Sequence, residues 1–560
     1  VLERIPSWIL VASGAALLWL SQPPLKLSFL AWFALVPWLL FAAKPSRKSN
    51  RLVFLLIAIV YWTITMQGIR HAHPAMYAAL LAFAFYLACY SLAFVSLVGN
   101  CYRWNAGRRM FWIAVPVVGT GLECIRNYLL TGISAVMIGH TQADNPQVIQ
   151  IADAFGSYGV TFLVLLVNGA IFQTIFLNQE IAHGPRLAWR RFFPAIASAL
   201  LLVICLAYGS WRLQQSDKLV GEPIGLNVAL IGRDEEIVFD QNADRELEIF
   251  NAYFVETMKA AEQTRQTGQN LDAIVWPESM FTGSLPWFLP VGDSRSDASP
   301  GKTSHDPSLV PVLEEKRGQF EYRAAQVQAA VRRVTGQTED PHLLVGCSVV
   351  DYQDPPCVFS SVVHVGQRGQ VQDWYGKTHL VMFGEYIPLI DYLPFVERFV
   401  PPGMGVQRGS GPKAMSMGTA TVSPNVCIET AVERVVPRQV AELERQGHSP
   451  DFVVNVTNDG WFDRSSIVDH HLRCSQLVAV ACRRPVLISA NGGPTAWIDG
   501  SGRVVQKLRY DEQGALIANV ATDGRRGLYQ TIGDWPARAL AIFVVCLCGL
   551  ILYRRFVVRM

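Results

Sequence analysis

Eight apolar runs constrain this chain more than any other feature. They lie at Trp8–Leu20, Leu27–Ala43, Leu52–Met66, Ala75–Val98, Phe111–Leu130, Tyr158–Leu177, Phe192–Trp211 and Ala537–Tyr553. About 20 apolar residues cross the hydrocarbon core of a bilayer, and inside that core a lone segment satisfies its backbone only as a helix. The runs therefore predict about eight membrane helices, seven before residue 212 and one at the far end. Trp and Tyr recur near their ends, as in interfacial belts. A cleaved signal peptide is the competing reading of the first run, but no small-residue cleavage site follows it and further runs do.

Loop charge orients the set. Lys44, Arg47, Lys48 and Arg51 follow the second run; Arg103, Arg108 and Arg109 follow the fourth; Arg186, Arg190 and Arg191 follow the sixth; Arg554, Arg555 and Arg559 follow the eighth. The alternate loops carry little beyond Lys26 and Arg70. The positive-inside rule then predicts both termini in the cytoplasm and the long segment between the seventh and eighth runs on the outer side. The expected organisation is a membrane domain at 1–211, an extracytoplasmic domain at 212–535 and a terminal helix at 536–560. Within the runs, Glu123 and Arg126 sit three apart and read as a structural ion pair on one helix face. His71 and His73 beside Pro74 read as interfacial residues, not metal ligands, because no third ligand accompanies them.

The bulk numbers agree with a membrane protein carrying a polar domain. The chain has 560 residues, too many for one core, with 51% hydrophobic and 17% charged residues. A net charge of +3 gives no argument for nucleic acid as a partner. Eleven cysteines include no Cys-x-x-Cys pair and no Cys/His cluster at zinc spacing, so no metal site is expected. Five of them (Cys347, Cys357, Cys427, Cys474 and Cys482) fall in the polar segment, where their pairing stays open.

From Ile224 onward short β-rich runs alternate with amphipathic helical stretches. Strand character marks Ile224–Ile231, Ala273–Trp276, Leu343–Val350, Ser361–Val365, Thr421–Val426, Phe452–Val456, Val486–Ser489, Ala496–Ile498, Val504–Lys507 and Leu516–Val520, with Pro424 interrupting the fifth. Helices are predicted at Asp240–Arg265, Phe320–Val334, Val432–Arg445 and His470–Cys482. This alternation predicts an α/β domain with a helix-covered sheet. The Ser-, Asp-, Gly- and Pro-rich stretch Gly292–Pro311 reads as a surface insertion.

Three stretches carry chemistry. In Asn425-Val426-Cys427-Ile428-Glu429 a cysteine sits at a predicted strand-to-helix turn, where a helix N-terminus favours a thiolate. Alone, such a cysteine is more often a small buried hydrophobe. Trp276-Pro277-Glu278 places a carboxylate just past an apolar strand, and the plainer reading is a solvated loop glutamate. Trp374-Tyr375-Gly376-Lys377-Thr378-His379-Leu380, followed by Phe383-Gly384-Glu385-Tyr386, places a lysine and a second glutamate around an apolar run. Together these supply a base (Glu278), a cation to stabilise thiolate and oxyanion (Lys377), and a nucleophile (Cys427), a set suited to acyl transfer. Asn458-Asp459-Gly460-Trp461 reads as a tight turn after a strand, and His470-His471 as a solvent-facing or capping pair at a helix start.

The order Glu278, Lys377, Cys427 in these contexts resembles the nitrilase superfamily. With membrane runs before and after, the whole chain resembles the bacterial apolipoprotein N-acyltransferases. Tyr375-Gly376-Lys377 running into Phe383-Gly384-Glu385-Tyr386-Ile387-Pro388 is the most specific match, joined by Asn458-Asp459-Gly460-Trp461-Phe462, Ala490-Asn491-Gly492-Gly493, Gly139-His140-Thr141-Gln142, Gln150 to Gly159 and Asn168. Departures are Ile428 where the family has Tyr, the turn Ile231-Gly232-Arg233-Asp234, and a long insertion from Gly292. The resemblance implies an αββα sandwich on the periplasmic side of the inner membrane. It implies a phospholipid donor, usually phosphatidylethanolamine, and a diacylated apolipoprotein acceptor, with no cofactor. It implies Cys427 as thioester-forming nucleophile, Glu278 as base, Lys377 with the Ile428 N–H as oxyanion donors, and Glu385 as support for Lys377. Trp461, Glu429, Phe383 and Tyr386 are implied as substrate-binding. The apolar stretch Leu389–Gly405 reads equally as an acyl entrance or an ordinary packed loop. Two alternatives remain: a membrane-tethered amidase with water as acceptor, and a transporter or receptor with a ligand-binding outer domain.

Overall fold

The computed structural model describes residues 5–45, 47–72, 74, 76–104, 108–177, 188–237, 242–282, 285–290, 309–352, 356–382, 384–386, 405–509 and 511–557. Residues 292–308 of the predicted insertion and most of Leu389–Gly405 lie outside the described residues, while Val310 and Pro311, read as the insertion's end, open a helix. The chain divides into two compact units. One comprises 1–217, 465–481 and 526–560, and the other 218–464 and 482–525.

The first unit is helical. Among the described residues, five helices are long and apolar enough to cross a membrane: Lys48–Thr65, Met76–Arg103, Ala152–Leu177, Arg191–Ser216 and Trp535–Arg554. Ser7–Leu20 is shorter. The second predicted run is not one α-helix: a 3₁₀ turn at Ser28–Trp32 precedes a helix at Val36–Ala43. The break frees backbone groups, and Asn168 takes two of them, accepting from Leu35 N at 2.9 Å and donating to Ala31 O at 2.9 Å. The fifth predicted run is helical over Phe111–Tyr128. Its Glu123 and Arg126 do not form the expected ion pair. Glu123 accepts from Ile138 N and Thr161 Oγ1, while Arg126 donates to Ala135 O and lies over the Trp62 ring. The two charges act on each other without direct contact, while the donors that reach the carboxylate come from the following loop and helix.

Helix Ser466–Cys482 packs largely within this helical unit, where Arg473 pairs with Asp144 at 2.6 Å and Lys26 with Asp469 at 2.8 Å. His470, expected at the surface, is buried on this helix. The helix starts four residues earlier than predicted, which turns that position inward.

The second unit is a sandwich of two sheets. The first sheet has the order β13-β1-β2-β4-β5-β6, with β3 (Trp287–Phe288) on β4. Its strands are β1 (Val220–Gly232), β2 (Ala273–Trp276), β4 (His342–Asp351), β5 (Cys357–Val365), β6 (Val371–Gly376) and β13 (Gly514–Asp523). The second has the order β12-β11-β10-β9-β8-β7, from β7 (Met415–Met417), β8 (Ala420–Val426), β9 (Phe452–Asn458), β10 (Val486–Asn491), β11 (Ala496–Ile498) and β12 (Val504–Lys507). The central pairings β1–β2–β4 and β8–β9–β10 are parallel.

Alternation of side chains explains the near-continuous apolar strands. Val228, Leu230, Ala273 and Val275 face inward to a core shared with Val422, Val426, Val454 and Val456 of the other sheet. Ala229, Ile231, Ile274 and Trp276 face the opposite way. They pack with Phe250, Tyr253, Phe320 and Val327 of helices Ala243–Thr267 and Val310–Thr335. Pro424 stays inside β8. The ladder to β7 ends at Met415↔Val422, so among the described residues β8 has no ladder partner on its outer side beyond that point, and a missing N–H is tolerated. Strands β3, β6 and β7 were not predicted; β3 and β7 are too short to show alternation, and β6 carries Gln372, Asp373 and Gly376.

Candidate active site

Three of the candidate residues sit where a strand ends. β2 runs into Pro277 and Glu278, β6 into Lys377, and β8 into Cys427. Parallel strands deliver their C-terminal ends to one edge, so residues far apart in sequence converge there.

The convergence is close. Lys377 Nζ lies 2.7 Å from Glu385 Oε1 and 3.5 Å from Glu278 Oε1. Glu278 Oε1 also accepts from Ser360 Oγ at 2.9 Å, and its Oε2 from Asn458 N at 3.2 Å. Glu385 Oε2 accepts from Val381 N at 2.8 Å. Lys377 is 1% exposed and Glu278 8%. Close backbone packing sets the Glu278 position: a Cβ on Gly346 of β4 would stand 2.3 Å from Pro277 O and 2.5 Å from Glu278 Cα.

Cys427 adopts φ +52°, a left-handed conformation rare for a non-glycine residue. It opens a 3₁₀ turn over Cys427–Ala431, so the Ile428 N–H is one of the turn's N-terminal donors left unused by its own ladder. Asn455 Nδ2 donates to Cys427 O at 3.3 Å, which holds the strained turn in place.

Burial dominates the electrostatics of the thiol. It pushes the Cys427 thiol well above its ordinary range; Lys377 opposes this, while Glu278 and Asp459 add to it. Burial also raises the Glu278 carboxyl, with Lys377 pulling it down, Glu385 pushing it up, and Ser360 and Asn458 favouring the charged form. For Lys377, burial alone would favour the neutral amine, but Glu278, Cys427 and Glu385 more than reverse this and keep the ammonium. A buried ammonium thus stands among two carboxyls and a thiol, with a carboxylate able to receive the thiol proton. That arrangement can generate a thiolate and stabilise an oxyanion next to it.

The structure brings together Glu278, Lys377, Glu385 and Cys427. It places Glu429 differently from a substrate ligand. Glu429 is 0% exposed, and both oxygens are engaged: Oε1 accepts from Thr378 N (2.7 Å), Thr378 Oγ1 (2.6 Å) and His379 N (3.1 Å), Oε2 from Val426 N (2.8 Å), and Tyr375 OH reaches both. It ties the loop after Lys377 to the strand before Cys427. Trp461 is half-buried in the turn Asp459–Phe462, and Tyr386 is half-buried at a bridge with Met382. Phe383 lies outside the described residues. Sequence reasoning missed Ser360 and the backbone of Asn458. A serine inside a strand carries no motif, and a backbone donor leaves no trace in residue identity. Among the described residues no group of three or more His, Cys, Asp or Glu is placed to hold a metal ion.

Two sheets with Glu, Lys and Cys at the strand ends define a nitrilase-like protein, and residues 246–528 match the carbon-nitrogen hydrolase family. Residues 14–170 match the apolipoprotein N-acyltransferase N-terminal domain. The chain is 39% identical to an apolipoprotein N-acyltransferase of Rhodopirellula baltica, covering 97% of this chain and 96% of that one. It is 27% identical to that of Geobacter metallireducens over the same shares. Among solved structures, an amidase from Nesterenkonia sp. aligns with 13% identity over 55% of this chain and 95% of that one, at a TM-score of 0.33. The chain belongs to the apolipoprotein N-acyltransferase family.

Proposed function

We propose that this protein transfers an acyl chain from a membrane phospholipid to the N-terminal amine of a diacylglyceryl-cysteine lipoprotein, through a thioester on Cys427. The observation that carries the reading is the buried cluster itself: Lys377 Nζ sits within 3.5 Å of Glu278 and 2.7 Å of Glu385, in the field of the Cys427 sulfur. Apolar helices in the same chain supply access to lipid. A relative named for N-acyl transfer over 97% of the chain favours neither the amidase nor the transporter reading.

The reaction runs in two halves. Glu278 takes the Cys427 proton as the sulfur attacks the ester carbonyl. Lys377 and the Ile428 N–H hold the oxyanion, and the proton passes to the departing lysophospholipid alkoxide. The acceptor amine then attacks the thioester, Glu278 takes its proton, and the thiolate leaves; a thiolate is a good leaving group for amide formation. Glu385 fixes and charges Lys377. Trp461 and Tyr386 contribute to the substrate walls, and phosphatidylethanolamine is the donor. Both substrates are anchored in lipid, so the topology that suits them is about eight spans, both termini in the cytoplasm, and the 212–535 segment on the periplasmic side of a bacterial inner membrane.

An intact-mass measurement tests this. The detergent-purified protein incubated with phosphatidylethanolamine should gain a fatty-acyl mass that hydroxylamine removes and that Cys427→Ala never acquires. Absence of both the adduct and released lysophospholipid would sink the phospholipid-donor mechanism.

A further inference from the structure

We infer that Thr457 is a further catalytic residue: its hydroxyl serves Asp459 while the Cys427 sulfur is protonated or acylated, and turns to donate to that sulfur whenever it is a thiolate. The inference rests on the acyl-transfer reading.

The geometry begins with the sheet. The ladder between β8 and β9 closes at Val426↔Val456, so the next residues, Cys427 and Thr457, flank each other at the sheet edge. The Thr457 hydroxyl donates to Asp459 Oδ1 at 3.0 Å, and it is among the groups that draw the Cys427 thiol downward against burial. Thr457 is 0% exposed and Asp459 2%, which leaves this hydroxyl little chance of being replaced by bulk water. Asp459 is pinned from behind, since a Cβ on Gly493 would stand 2.3 Å from its Oδ2.

A hydroxyl has one proton and two lone pairs. While Cys427 is a thiol, its S–H can point at the Thr457 oxygen and the Thr457 proton can point at Asp459. Once Glu278 removes the thiol proton, the sulfur needs a donor and the Thr457 oxygen has lost one. Rotation about the Thr457 C–O bond then moves its proton from carboxylate to sulfur, with no bond broken and no net transfer. The demand arises twice: between loss of the thiol proton and formation of the S–C bond, after which the ester C–O bond breaks, and again when the amine nitrogen has bonded that carbon and the C–S bond breaks to release the thiolate. Among the described residues, the charged groups acting on the sulfur are Lys377, Glu278 and Asp459. Lys377 is shared with two carboxylates.

The test reads the sulfur without any lipid. The full-length protein in detergent is alkylated with iodoacetamide across pH, and the Cys427 peptide is followed by mass. A hydrogen bond to a charged atom moves the thiol pKa by about 1–2 units, and the greater nucleophilicity of a more basic thiolate restores nearly half of the exponent. Thr457→Val should therefore alkylate about three- to tenfold more slowly on the acid side of the profile and shift its midpoint upward. Thr457→Ser, which keeps the hydroxyl, should stay within about threefold of the parent protein. Asp459→Asn, which removes the competing acceptor and a negative charge, should alkylate faster. An unshifted Thr457→Val profile would overturn the inference, as would a folded Asp459→Asn that slows alkylation as Thr457→Val does. If Asp459→Asn fails to fold, the Val/Ser pair decides alone. Shifted alkylation together with no acyl-enzyme from any phospholipid would leave Thr457 in place and reject the donor reading instead.

Discussion

Replacing Ser360 by Ala tests the base directly. Glu278 Oε1 has two partners, Ser360 Oγ at 2.9 Å and Lys377 Nζ at the longer 3.5 Å, and Oε2 has the Asn458 N–H at 3.2 Å. Burial raises the carboxyl, and the Ser360 hydroxyl lowers it by donating to the ionised form. A hydrogen bond to a charged group contributes about 1.5–3 kcal/mol, and one pKa unit corresponds to about 1.36 kcal/mol. Partial relief by Lys377 closing on the vacated oxygen leaves a rise of about one unit. A general base works ionised, so activity increases as pH rises through its pKa. The acid limb of kcat/KM for lysophospholipid release should therefore move up by about one pH unit. Rates on that limb should fall about tenfold, with the high-pH plateau unchanged. A lowered plateau with an unmoved limb would mean that Ser360 only positions the carboxylate. A profile identical to that of the unmodified protein would refute Glu278 as the group that titrates.

Three further substitutions have outcomes fixed by geometry. Gly346→Ala drives a Cβ into Pro277 O and Glu278 Cα, both backbone, so the Glu278 segment must move; acyl-enzyme formation by intact mass should slow at least about 10²-fold. Glu429→Gln turns an NH₂ toward N–H and O–H donors that now meet carboxylate oxygens. It should destabilise the unit by about 3 kcal/mol, read as a lower thermal unfolding midpoint, and slow Cys427 alkylation, because the Lys377 loop and the Cys427 turn lose their tie. Glu385→Gln removes one of the charges that keep Lys377 protonated, and thioester formation should fall about 10- to 100-fold with little loss of stability.

The sequence and the structure agree where side-chain chemistry is written into residue identity. Ala273–Trp276, Ala496–Ile498 and Val504–Lys507 are strands with the bounds read from their patterning, and Glu278, Lys377, Glu385 and Cys427 converge. Agreement fails where backbone decides. The Leu27–Ala43 run looks continuous because hydropathy does not register a helix break that Asn168, more than 120 positions away, caps from another helix. Glu429 was implied as substrate-binding by the resemblance alone; its five donors come from segments near 375 and 426 that only the fold brings together. His470 was read one helical turn too near the helix start.

The charge arrangement explains why a site this buried holds a lysine between two carboxyls rather than one. With Glu278 and Glu385 ionised, Lys377 protonated and Cys427 a thiol, the four groups sum to one negative charge. Moving the thiol proton to Glu278 leaves the same sum; only its location changes. Creating charge in a dry cleft costs far more than moving it a few ångströms past a fixed cation. A single carboxylate would give a neutral resting set, in which the ammonium is exactly consumed by its one partner and must be pulled from it as the thiolate forms. The second carboxylate, Glu385 at 2.7 Å, holds Lys377 throughout and leaves Glu278 at the looser 3.5 Å, free to take a proton and release it. In the proposed mechanism the asymmetry of those two distances separates the roles: the tight partner maintains the cation, and the loose one does the proton transfer.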